Sequence, residues 1–296
     1  MVALCASQIS TLTASWARIC HLRHHIFNSR CIVDHRAAIH NQEYELAGAF
    51  KIEKRTITVG GYPVHYKVVG RGEPAILVHG LSASTFWWNR NILALASRYT
   101  LYLVDLPGFG AMRRSRQRLV LSQAASWLLS WMQAVGISQA HLIGHSMGGC
   151  ICIRLAARHP EVVRRLVLFA PAGVPTGRSL AGYLIPLLVA IRYTTFRFLP
   201  ILFYDGLRAG LLTILRATQD LLTQDVREDL PSITAPTLLI WGERDPLVPP
   251  VFANIVHKAI TNSHLLRVKR AGHIVMYDQA QVCNEAMLAF PASDVV

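Results

Sequence analysis

Three segments of this 296-residue chain carry residue types that together perform nucleophilic acyl transfer. Gly144-His145-Ser146-Met147-Gly148-Gly149 sets a serine among glycines, directly after the apolar run His141 to Ile143 and before a helix-like stretch. A serine on so sharp a strand-to-helix turn has a strained backbone, and neighbours without Cβ let strand and helix approach closely. Its hydroxyl then stands at a helix N-terminus, where free N–H groups and the dipole favour developing negative charge. A hydroxyl is a poor nucleophile at neutral pH and needs a base, usually a histidine held by a carboxylate. Trp241-Gly242-Glu243-Arg244-Asp245-Pro246 supplies carboxylates at the end of the apolar run Thr237 to Trp241, and Ala271-Gly272-His273 follows the run Leu265 to Val268. Ser146 is therefore expected as nucleophile, His273 as general base and Asp245 as the acid that orients it, in the order serine, acid, histidine. Pro246 and the following Leu247-Val248-Pro249-Pro250 constrain a turn that aims Asp245 inward, with Glu243 as the fallback.

An oxyanion formed during acyl transfer must meet fixed donors. The Met147 N–H, immediately after the nucleophile, is one. The Leu81 N–H is the other, because His79-Gly80-Leu81-Ser82 follows the apolar run Ala75 to Val78. The chain holds 13 histidines, and His273 is distinguished from the rest by its position after the last strand. His145 is read as supporting structure.

Positioning these residues requires a sheet whose strands end near one another. Ile52 to Val59 and Tyr62 to Val69 alternate apolar and polar residues about Gly60-Gly61, the pattern of a partly exposed hairpin at a sheet edge. The runs Ala75 to Val78, Leu101 to Val104, His141 to Ile143, Leu166 to Phe169, Thr237 to Trp241 and Leu265 to Val268 are continuous and apolar, as strands covered on both faces must be. Helical stretches such as Ser122 to Val135 and Met147 to Arg158 alternate with them, which predicts an α/β fold with a mostly parallel, eight-stranded sheet flanked by helices. More than sixty residues separate Phe169 from Thr237, where a crossover needs about a dozen. An inserted helical cap over residues 174–235 is expected there, built from Leu180 to Ala190, Phe196 to Tyr204 and Leu207 to Leu222, with Pro186 and Pro200 as breakers. The core would then comprise residues 51–173 and 236–296.

Hydrophobic residues make up 52% of the chain and charged residues 16%, too apolar a balance for a disordered protein. No run of about 18 uninterrupted apolar residues exists, and Arg192 and Arg197 break the longest apolar part, so no stable membrane insertion is expected. The formal net charge of +13 comes from scattered arginines, and the cluster Arg113, Arg114, Arg116 and Arg118 lacks interleaved aromatics, so it reads as a solvated loop and no nucleic-acid partner is expected. Six cysteines (Cys5, Cys20, Cys31, Cys150, Cys152, Cys283) form neither a CxxC pair nor a regular framework, which indicates no zinc site and a reducing, cytoplasmic setting. Residues 1–50 contain Arg18, Arg23 and Arg30 and no acid before Asp34. They read as a poorly ordered extension, a transit-like presequence being the alternative. No feature of the pattern specifies an oligomeric state.

The ordered set His79-Gly80, Asp105-Leu106-Pro107-Gly108-Phe109-Gly110, Gly144 to Gly149, Trp241 to Asp245 and Gly272-His273 resembles the α/β-hydrolase superfamily, on the branch of small esterases, cofactor-free haloperoxidase-like enzymes and meta-cleavage product hydrolases. The resemblance runs from about Lys51 to Phe290 and departs from the family in the first fifty residues and in the arginine-rich stretch after Gly110. It implies a structural role for the Asp105 to Gly110 turn. With serine as nucleophile, it implies an acyl-enzyme cycle needing no metal or organic cofactor. The expected activity is hydrolysis of a small, fairly apolar carboxylic ester. Carbon–carbon bond hydrolysis of a ring-fission product is an alternative that would need a carboxylate clamp, for which Arg192 and Arg197 are candidates. A non-catalytic small-molecule binder is a third reading.

Overall fold

Alternating polarity gives the first two strands one buried and one wet face. In the computed structural model, which describes residues 50–290, Glu53–Val59 (β1) pairs antiparallel with Tyr62–Gly70 (β2) in the register Glu53↔Val68 to Val59↔Tyr62. The expected N-terminal extension lies outside the described residues, Phe50 excepted. Six further strands follow: Glu73–Val78 (β3), Tyr99–Val104 (β4), Ala140–His145 (β5), Val163–Phe169 (β6), Thr237–Gly242 (β7) and Ser263–Val268 (β8). They complete one eight-stranded sheet in the order β1-β2-β4-β3-β5-β6-β7-β8. β2 runs antiparallel to β4, and every pairing from β4 to β8 is parallel. The hairpin therefore contributes β1 as the edge, while β2 is interior.

Parallel strands need crossovers, and these cover both faces with helices. Asn89–Ala96 (α1), Leu121–Val135 (α2), Met147–Arg158 (α3), Val251–Ala259 (α7), Val275–Asp278 (α8) and Ala280–Ala289 (α9) flank the sheet, and Leu184–Tyr193 (α4), Leu199–Ala209 (α5) and Leu211–Leu222 (α6) lie between β6 and β7. Ile76 and Val78 of β3 join the cluster built by Leu128, Trp131 and Met132 of α2 and Ile151 and Leu155 of α3. The alternate residues Ala75 and Leu77 are buried outside that cluster, Ala75 on the opposite face beside Leu95, Ile143, Val167 and Met287. The strict alternation is that of a strand covered on both sides. β5 and β7 are buried over their whole length.

The order β4-β3-β5 is where chain progression reverses direction, and open α/β sheets bind ligands outside the carboxyl ends of strands at such a point. The helices α4 to α6 dock at those ends. Tyr193 lies against Gly272 beyond β8, Thr213 against Gly108 beyond β4, and Asp205 bonds Ser84 and Trp87 beyond β3.

Two local expectations fail here. Pro186 and Pro200 do not separate the helices but sit in the first turns of α4 and α5, where a missing N–H costs nothing. The breaks fall instead at Thr194-Thr195 and at Gly210, which divides the expected stretch Leu207 to Leu222. Arg114, Arg116 and Arg118 are exposed on a loop, and Cys150, Cys152 and Cys283 are free, buried thiols. No single helix among the described residues is long and apolar enough to cross a membrane.

Candidate active site

Ser146 has φ 51° and ψ −116°, between the end of β5 and the first residue of α3. A side chain costs free energy in that conformation, and the surroundings over-determine it. The Ser146 N–H donates to the Phe169 carbonyl at 3.0 Å, and its own carbonyl accepts from Cys150 at 3.1 Å and from Ala172 at 3.0 Å. Close approach does the rest: a Cβ on Gly148 would collide with the carbonyl oxygens of Val78 and His79. α3 can lie over the end of β3 only because position 148 is bare.

The loop carrying Leu81 meets the serine directly. A Cβ on Gly80 would come within 3.3 Å of the Ser146 Cβ and 2.8 Å of the His145 Nδ1. His79 holds this loop as a neutral imidazole: its Nε2 accepts from the Leu106 N–H at 3.0 Å, so Nδ1 carries the proton and donates to the Gly80 carbonyl at 2.8 Å. Burial lowers the His79 pKa and keeps the ring neutral, while these two hydrogen bonds select the tautomer. Asp105 accepts from the N–H groups of Thr85 at 2.7 Å and Ala111 at 2.8 Å, tying the Asp105 to Gly110 turn to the same loop. Leu81 is half-buried against the core, and Met147 is buried as the first residue of α3.

Asp245 and His273 meet beyond the ends of β7 and β8. The His273 Nδ1 lies 2.7 Å from the Asp245 Oδ2, with both residues buried. The other oxygen of Asp245 accepts from the N–H groups of Leu247 and Val248, each at 2.9 Å, so the turn expected from the prolines does hold the carboxylate. Glu243 is exposed. An ionised carboxylate at Nδ1 fixes the proton there and leaves Nε2 as the basic nitrogen. His145 links this pair to the serine: its Nε2–H donates to the His273 carbonyl at 3.0 Å, and the two rings are 4.8 Å apart. Burial, reinforced by His273, lowers the His145 pKa well below its ordinary value, so it remains an uncharged strut.

Pattern reasoning missed Asp205. It is buried in α5, where its Oδ2 accepts from Ser84 Oγ at 2.7 Å and Trp87 Nε1 at 3.0 Å. Burial raises its pKa to about 6. Its one sequence signal is isolation, for no other carboxylate lies between positions 162 and 219. Phe198, between α4 and α5, packs 4.9 Å from Trp87 and 4.5 Å from Tyr277, and Trp87 packs 5.9 Å from His145, so this segment adds one aromatic ring to an aromatic cluster that reaches the site. Much of the remaining apolar content of α4 to α6 faces outward, and Arg192 and Arg197 are exposed. No group of three or more histidine, cysteine or acidic side chains suited to a metal ion occurs among the described residues.

Residues 75–286 match the model of the alpha/beta hydrolase family, and the chain belongs to that family of enzymes. It is 31% identical to a dihydrolipoyllysine-residue acetyltransferase component of an acetoin cleaving system from Pseudomonas putida, over 78% of this chain and 67% of that protein. It is 30% identical to a pimeloyl-[acyl-carrier protein] methyl ester esterase from Aeromonas hydrophila, over 69% of this chain and 89% of that one. Among solved structures, a meta-cleavage product hydrolase from Pseudomonas fluorescens IP01 superposes with a TM-score of 0.67 at 25% identity, covering 80% of this chain and 97% of the other.

Proposed function

We propose that this enzyme is a serine hydrolase that cleaves a small, fairly apolar carboxylic ester through an acyl-enzyme on Ser146. The observation that carries the reading is the buried 2.7 Å contact between His273 Nδ1 and Asp245 Oδ2, tied through His145 to the strained turn bearing Ser146. In the cycle, His273 Nε2 takes the Ser146 proton as Oγ attacks the ester carbonyl, and Asp245 stabilises the imidazolium. The N–H groups of Leu81 and Met147 receive the oxyanion at the N-terminus of α3. Collapse expels the alcohol, protonated by His273, and water activated by the same imidazole releases the acid. The insertion acts as a cap, and an apolar acyl or alcohol group is favoured by Phe198, Trp87 and Tyr277. Similarity to a methyl ester esterase agrees with this chemistry. The carbon–carbon alternative loses its candidate clamp, because Arg192 and Arg197 face solvent.

Fluorophosphonate labelling of the protein, lost in Ser146→Ala, tests the nucleophile. Turnover of p-nitrophenyl esters from acetate to palmitate tests the substrate class. A wild-type protein that resists the label, or that labels at another serine, would refute the assignment.

A further inference from the structure

Twelve of the seventeen exposed large hydrophobic side chains among the described residues lie between Leu180 and Leu215. Each inserted helix shows the same arrangement. α5 turns Ile201, Asp205 and Ala209 inward and leaves Phe203, Tyr204 and Leu207 outside, while α6 buries Ala217 and exposes Leu211, Leu212 and Leu215. α4 exposes Leu184, Ile185, Leu187 and Leu188, and Phe196 follows it. Leu207 is 84% exposed, Phe196 81% and Ile185 72%. The inward positions dock the insertion, and the outward ones remain uncovered by the rest of the fold. Apolar surface on this scale marks a docking face.

Its charges indicate what docks. Arg178, Arg192, Arg197, Arg208 and Arg216 fall within the insertion. Between Leu184 and Leu222, the span of α4 to α6, the carboxylates are Asp205, which is buried, and Asp220, which accepts the Leu121 N–H at 2.8 Å; Asp225, Glu228 and Asp229 follow α6, where Asp225 pairs with Arg227 and Asp229 with Arg154. Arg208 lies over the Tyr204 ring at 5.0 Å and donates to its hydroxyl at 3.0 Å, a pair with an apolar body and a polar tip. A second copy of this chain, docked through the same face, would set arginines against arginines with no acid between them. Residues 181–193 and 196–209 together have the apolar composition of a membrane span, yet they bend by 115°, so they cannot cross as one rod. Bent apolar helices edged with arginine suit the interface plane of a bilayer, side chains in the acyl boundary and guanidinium groups among phosphates.

We propose that the outer face of α4 to α6 docks on anionic lipid bilayers, lying in the interface without spanning it. The docking does not depend on the proposed chemistry of Ser146. The test uses full-length protein and sedimentation with vesicles of phosphatidylcholine alone or mixed with phosphatidylglycerol. Wild type is expected to bind the mixed vesicles about tenfold or more tightly than the neutral ones, with the preference lost at high salt. Phe196→Ser with Leu207→Ser should weaken binding about tenfold or more, and Arg192→Gln with Arg197→Gln and Arg216→Gln should abolish the lipid preference. All these positions are solvent-exposed, and an unchanged thermal melt certifies the fold of each variant. Three results overturn the proposal: no vesicle binding by wild type; binding that the cap substitutions leave intact, which assigns it to another segment; or a wild-type dimer that Phe196→Ser with Leu207→Ser dissociates, which makes the occupant a second copy.

Discussion

Asp205 makes the insertion's attachment dependent on pH, with a sign the structure determines. Its carboxyl is buried in α5 against Ser84 and Trp87, and burial raises its pKa from the ordinary 3.8 to about 6, with the nearby Asp105 charge acting in the same direction. The folded protein therefore holds this proton more tightly than the unfolded chain. Stability from the group is fully present below pH 4, declines as pH rises from about 4 to about 6, and is constant above that. The interval of about two pH units corresponds to about 3 kcal/mol. Asp205→Asn removes the titration and keeps an acceptor for the Ser84 hydroxyl and the Trp87 indole. The stability of Asp205→Asn minus that of wild type should therefore increase by about 3 kcal/mol between pH 4 and pH 7, or about 6–12 °C in melting temperature. Urea denaturation followed by tryptophan fluorescence at several pH values measures this difference, and groups common to both proteins cancel. A difference that stays constant with pH, or that shrinks as pH rises, would refute the reasoning.

The strained backbone at Ser146 predicts that Ser146→Gly is inactive yet more stable than Ser146→Ala, by about 1–2 kcal/mol in denaturant midpoint analysis, since alanine keeps the Cβ that φ 51° disfavours. Asp245→Asn should lower kcat by about 10⁴ through the wrong imidazole tautomer, whereas Glu243→Gln, at an exposed position, should leave it near normal in steady-state assays.

Local sequence determined a good deal of this protein. Continuous apolar runs identified the six parallel strands, because strands covered on both faces, such as β5 and β7, have no polar side to show; β8, expected to be covered likewise, is the sheet edge and is only partly buried. The apolar runs are shorter than the strands where polar residues enter: β6 begins at Val163 and passes through Arg164 and Arg165, and β8 begins at Ser263. Backbone pairing extends a strand past the residues whose side chains reach water. The glycines around Ser146 and the position of His273 were legible because a tight strand-to-helix turn and a short loop leave few residue choices.

The tertiary structure decided what no local pattern encodes. Proximity separated Asp245 from Glu243, two carboxylates two positions apart of which one meets the imidazole and the other faces solvent. The helices of the insertion carry apolar residues on their outward as well as their inward sides, and such a sequence does not say which side turns inward. Docking alone buried Asp205 and Phe198 and left Leu207 and Phe196 outside. Whether a side chain lines a site or faces outward depends on partners far along the chain, and only the folded arrangement brings those partners near.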